Sequence, residues 1–213
     1  NLDVEFKLID KLLKGTRLTG DFSLKTKDLL LAQGEIISTK IISEILNGLN
    51  IKSKAIDSRL FLKTDDNYGN AVVDLKLSEE KTINFFKQQN KNTLLVTTGF
   101  IASNSLNETT TLGRNGTNYS ASLLANFLNI KEIESYTHVD GIFSANPEIV
   151  NNAKIIKNLD YNEASQLSNF GASILHSKSI DPLVPKNISL RILNTFNSNN
   201  QGTLISNKKT DQG

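Results

Sequence analysis

An α/β fold is predicted by this sequence on three observations. Helical and strand-like segments alternate along the chain, one β-branched run closed by glycine reads as a buried parallel strand, and 213 residues with 38% hydrophobic content suffice for one substantial core. In such folds ligands collect at the carboxyl ends of the strands.

Residues 1–18 place Leu2, Val4, Phe6, Leu8, Ile9, Leu12 and Leu13 roughly at helical spacing before Gly15 interrupts. Residues 25–49 predict a second helix, entered through Gly34-Glu35, with Ile36, Ile37, Ile41, Ile42, Ile45 and Leu46 as its apolar stripe. Short strands are expected at 51–56 and 71–75, separated by a turn-rich stretch at 64–70. The run 93–98, closed by Gly99, is the clearest strand, and its C-terminal end is a natural place for a functional loop. A helix at 120–130, built on Leu123, Leu124, Phe127, Leu128 and Ile130, leads into a strand at 133–139.

Composition excludes several classes. Twenty-four basic against 22 acidic residues give a net charge of +2 without long runs, so neither nucleic acid nor an anionic membrane is an expected partner. The absence of Cys removes disulfides, thiolate zinc sites and cysteine nucleophiles. His138 has no neighbouring ligand pattern for a metal, so no protein-held metal site is expected there. The longest apolar stretch, 94–102, is too short to span a bilayer, and no signal-peptide pattern opens the chain. The cytoplasm is the expected location. The first residue is Asn1 and Met is absent, which reads either as a piece of a longer chain or as a sequence from which methionines have been dropped.

The most informative segment is Thr109-Thr110-Thr111-Leu112-Gly113-Arg114-Asn115-Gly116-Thr117-Asn118-Tyr119-Ser120-Ala121, a glycine-bearing loop running into an amphipathic helix. Glycines let backbone N–H groups approach an anion, a helix N-terminus adds partial positive charge, and an arginine clamps a carboxylate or phosphate through paired hydrogen bonds. On local pattern alone the segment is equally an ordinary loop with Thr117 or Asn118 as helix cap. Four further segments accompany it: Gly34-Glu35-Ile36-Ile37-Ser38, Thr98-Gly99-Phe100-Ile101, the stretch from Tyr136 to Glu148, and Glu163-Ala164 with Phe170-Gly171-Ala172-Ser173.

Together these motifs resemble, in order, those of the aspartokinases, a branch of the amino acid kinase family. The resemblance covers nearly the whole of 30–205, closing with Leu193-Asn194-Thr195-Phe196-Asn197 and Gly202-Thr203-Leu204-Ile205. It implies a three-layer α/β/α sandwich with a mostly parallel sheet, forming one partial kinase domain over 1–205 with a tail or the start of a regulatory region at 206–213. It implies transfer of the γ-phosphoryl group of ATP, with Mg²⁺, to the side-chain carboxylate of L-aspartate, the first step toward lysine, threonine and methionine. A homodimer is implied for the full-length form.

Residue by residue, the resemblance makes Glu35, Phe100, Arg114 and Thr117 substrate-binding, and Arg114 and Asn118 catalytic. It makes Gly113, Gly116, Thr137, His138, Asp140, Gly141, Phe143 and Ser173 nucleotide-binding. The sequence also departs from the family pattern. Asn118 stands for an aspartate, His138 for an aspartate, Phe143 for a tyrosine, Asn146 for an aspartate, Glu148 for an arginine and Ser173 for a lysine. The family's Lys-Phe-Gly-Gly-Thr-Ser segment and its regulatory ACT region have no counterpart here. Two lost cations matter to phosphoryl transfer, which depends on neutralising charge on the transferred group. A catalytically degenerate paralogue serving as a binding or regulatory protein is therefore the alternative. Glutamate, carbamate or nucleotide monophosphate kinases share the fold but match these motifs less well.

Overall fold

The computed structural model describes residues 2–169 and 176–208. The chain divides into two compact units, Asn1–Thr117 and Asn118–Gly213.

The first unit opens with α1 (Asp3–Thr19) and α2 (Leu24–Gly48). α1 stops at Gly20, whose φ of 66° is the left-handed conformation that closes a helix. α2 starts at Ser23, whose hydroxyl accepts from the Thr26 N–H at 3.2 Å. Two expectations for α2 are corrected. Gly34-Glu35 lies in the middle of the helix, not at its entry, because the Ser23 cap begins it ten residues earlier. The buried face is Asp28, Ala32, Gln33, Ile36, Thr39 and Ser43, while Ile41, Ile42 and Ile45 of the expected stripe are exposed. Burying polar groups is tolerable where they are hydrogen-bonded. Gln33 donates to the Leu29 carbonyl at 3.0 Å, and the Ser43 and Ser53 hydroxyls meet at 3.0 Å.

Strand β1 (Ser53–Ile56) pairs in parallel with β2 (Leu94–Thr97), from Ser53↔Leu94 to Ile56↔Thr97. Residues 71–75 form no strand. Val73 makes an isolated bridge to Thr64, and Leu75 opens α3 (Leu75–Lys87), because Asp74 caps that helix by accepting from the Leu77 N–H at 3.0 Å. Phe85 and Phe86 of α3 pack on the fully buried Phe61 at centroid distances of 5.2 and 5.5 Å. An antiparallel hairpin, β3 (Ile101–Ser103) with β4 (Thr109–Thr111), completes the unit.

Helix α4 (Gly116–Phe127) begins at the end of the first unit, so Thr117 and Asn118 lie in its first turn and do not precede it as caps. The second unit adds β5 (Glu132–Thr137), β6 (Asn158–Asp160), α5 (Tyr161–Asn169), α6 (Ser177–Ile180), β7 (Ser189–Asn194) and β8 (Thr203–Ser206). Its sheet runs β5-β7-β8-β6, parallel at β5–β7 and β6–β8 and antiparallel at β7–β8. Ile142, Leu183, Ile188, Ile192 and Ile205 centre its core. The fold is α/β, as expected, and three of the five named strand pairings among the described residues are parallel. Among the described residues no helix is long and apolar enough to cross a membrane.

Candidate active site

In the first unit the site candidates gather where β2 ends and α4 begins. After Thr98, Phe100 adopts a φ of 64°, an uncommon conformation for an aromatic residue and a local strain. Thr98 is fixed by Ser58, whose N–H donates to its hydroxyl at 2.8 Å, and the Ser58 hydroxyl donates on to the Ile101 carbonyl at 2.7 Å. The strand end then meets the helix start backbone to backbone. A Cβ on Gly99 would stand 2.6 Å from Thr117 Cγ2, one on Gly116 would stand 2.8 Å from the Phe100 ring, and the Leu112 N–H donates to the Phe100 carbonyl at 2.9 Å. Close approach is therefore what these glycines permit.

Gly113, at φ 73°, precedes Arg114, and Asn115 follows at φ 61°. This bend leaves Arg114 exposed at the N-terminal end of α4, beside exposed Thr117 and Asn118. Among the described residues no carboxylate pairs with Arg114, and no cation pairs with the half-buried Glu35 of α2. A helix N-terminus with a neighbouring free guanidinium suits an anion; an unpaired, partly desolvated carboxylate suits an ammonium group.

In the second unit the expected nucleotide residues line the loop after β5. The Thr137 carbonyl accepts from the Thr195 N–H at 2.8 Å, and its hydroxyl lies 3.4 Å from His138 Nδ1. Asp140 is already engaged, since Oδ1 accepts from Asn194 Nδ2 at 2.7 Å and from Asn197 Nδ2 at 3.0 Å. Gly141 has a φ of 138°, and a Cβ there would stand 2.7 Å from Thr203 Oγ1. That hydroxyl accepts from the Ile142 N–H at 2.8 Å and donates to the Ile156 carbonyl at 2.7 Å, locking the loop to β8. Phe143 bridges Ile155. Glu148 is exposed. Ser173 lies outside the described residues, and His176 acts as a cap, its Nδ1 accepting from the Lys178 N–H at 3.2 Å.

A model of the amino acid kinase family matches residues 5–194. The chain belongs to the amino acid kinase family. Among curated members of that family it is 34% identical over 182 residues to lysine-sensitive aspartokinase 3 of Escherichia coli, covering 85% of this chain and 40% of that one. It is 35% identical to the aspartokinase of Rickettsia felis, covering 85% and 44%, and 34% identical to the bifunctional aspartokinase/homoserine dehydrogenase of Buchnera aphidicola, covering 94% and 24%. The chain thus spans less than half the length of each of these relatives. Among solved structures, E. coli aspartokinase III in complex with aspartate and ADP superposes with a TM-score of 0.93 at 30% identity, over 99% of this chain and 46% of that one. A UMP kinase from Ureaplasma parvum, at 15% identity and a TM-score of 0.52, shares the family fold alone.

Sequence reasoning missed residues that hold the candidate segments of each unit in shape. Asp28 accepts from Gly69 and Thr111, Thr203 pins the loop after β5, and Glu108 gathers Lys25, Tyr68 and Asn104. Only Asp28 carried a usable signal: it lies seven residues before Glu35, two turns along one helix face.

Proposed function

We propose that this chain is the greater part of the catalytic region of an aspartate kinase, with L-aspartate and ATP as its substrates. The observation that carries this reading is the likeness, at 30% identity over 99% of the chain, to a solved aspartokinase bound to aspartate and ADP. The first unit supplies groups suited to the amino acid, Glu35 for its ammonium and Arg114 for a carboxylate, with Phe100 and Thr117 beside them. Gly113 in the bend before α4 and Gly116 as the first residue of α4 are assigned to the nucleotide's phosphates through their backbone N–H groups, and Asn118 in the first turn of α4 orients the reacting carboxylate as donor and acceptor. The second unit supplies the loop for nucleotide, carrying Thr137, His138, Asp140, Gly141 and Phe143, with Ser173 assigned to the same role.

In the reaction a side-chain carboxylate oxygen of aspartate bonds to the γ-phosphorus while the bond from that phosphorus to the β–γ bridging oxygen breaks. 4-Phospho-L-aspartate and ADP leave. The chain's contribution is positioning and charge neutralisation. Mg²⁺ belongs to this reading as the nucleotide's counter-ion and would supply charge neutralisation on the transferred phosphoryl group. The reading also carries the homodimer and cytoplasmic location that the resemblance implies.

The test is ATP- and aspartate-dependent hydroxamate formation by the full-length protein, with Arg114→Ala alongside. Activity abolished or cut at least about a hundredfold in the variant supports the assignment. A folded wild-type protein with neither activity nor ATP binding contradicts it and leaves the degenerate paralogue.

A further inference from the structure

Asp28 is fully buried, at 0% exposure, and among the described residues no lysine or arginine pairs with it. A carboxylate so placed persists only if hydrogen bonds replace water. Three do. The Gly69 N–H donates to Oδ2 at 2.8 Å, the Thr111 N–H donates to Oδ2 at 2.9 Å, and the Thr111 hydroxyl donates to Oδ1 at 2.8 Å.

These donors belong to two separate segments, both of which lead to Arg114. Thr111 ends β4, three residues before Arg114. Gly69 opens onto the shelf beneath Gly113, where a Cβ would stand 2.5 Å from Asn70 Oδ1 and 3.2 Å from the Gly69 carbonyl oxygen. Asp28 shares its helix face with Ala32 and Glu35, at i+4 and i+7. Ala32 is itself fully buried, against Ile101 of β3 in the same cluster. One rigid helix therefore holds both the clamp on the Arg114 segment and the carboxylate assigned to the substrate's ammonium group.

We propose that Asp28 is a positioning residue that ties the segment leading to Arg114 to the helix that carries Glu35, and so sets how tightly the amino acid substrate is held. The proposal rests on the aspartate kinase reading above. Asp28 does not touch the substrate in this account; it acts through the backbone of Thr111 and the shelf at Gly69.

The test uses initial rates of ADP release by the full-length protein, with aspartate and ATP varied separately. Asp28→Ala leaves the Gly69 and Thr111 N–H groups unpaired and endangers folding, so Thr111→Val decides: it exchanges the donating hydroxyl for a methyl group and leaves the backbone bond in place. One lost hydrogen bond predicts an aspartate KM raised about 3- to 10-fold, with the KM for ATP within about twofold of wild type. Thr111→Ser, which restores the hydroxyl, returns the aspartate KM to within about twofold. An unchanged aspartate KM in Thr111→Val, or equal weakening toward both substrates, overturns the positioning role while the kinase reading stands. A wild-type protein that releases no ADP with aspartate overturns the reading beneath it.

Discussion

At the residue scale, the strongest electrostatic feature is Glu108. Its carboxylate accepts from Lys25, from the Tyr68 hydroxyl at 2.5 Å and from Asn104 at 3.2 Å. These bonds, that of Lys25 foremost, hold its pKa down at about 2, against an ordinary value of 4.5. The bond to Glu108 and burial push the Tyr68 phenol from 10.0 up to about 12. A depressed carboxylate stabilises the fold fully above about pH 4.5 and loses that contribution as pH falls toward about 2. A raised phenol contributes below pH 10.0 and loses its contribution as pH rises toward about 12. Melting temperature followed against pH is therefore predicted to have an acid limb that flattens in Glu108→Gln and an alkaline limb that flattens in Tyr68→Phe. Gly99 makes a second, steric prediction. Ala there overlaps Thr117 at 2.6 Å from Cγ2 and 3.0 Å from Cα, so Gly99→Ala is expected to cost about 1–3 kcal/mol in urea unfolding. Thr117→Ser in the same chain removes the nearer atom and recovers part of that loss.

At the element scale, α2 and α3 show where pattern reading succeeds and where it stops. That 25–48 is helical was legible, yet its start at Ser23 and its buried face were not, because part of that face is polar and finds its hydrogen bonds only in the folded chain. Asp28 and Ser43 look solvent-facing in a sequence and become interior once Thr111 and Ser53 are in place, while Gln33 is satisfied within its own helix by the Leu29 carbonyl. α3 escaped detection because Val73 and Leu75 fit a short strand until Asp74 is recognised as a cap. That cap is predicted to matter: Asp74→Ala should lower the urea midpoint by the equivalent of about 1 kcal/mol without changing the slope. A larger loss with an altered slope would indicate that more than the first turn of α3 depends on it.

At the scale of the whole molecule, the α/β class and the amino acid kinase family were legible because the segments that carry them are local. Glycines and an arginine before α4, and Asp140-Gly141 after β5, occupy short loops whose spacing survives in sequence. Their supports were not legible. Asn194 and Asn197 reach Asp140 across 54 and 57 residues, and Thr111 reaches Asp28 across 83, distances over which no periodicity speaks.

The most direct measurement is ADP release by the full-length protein with Mg²⁺ and ATP, offered L-aspartate, L-glutamate, carbamate and UMP in turn under identical conditions. The account predicts turnover with L-aspartate that exceeds every other acceptor by at least about tenfold. Turnover that is greatest with L-glutamate, carbamate or UMP, or absent with all four acceptors in a folded protein, would contradict it.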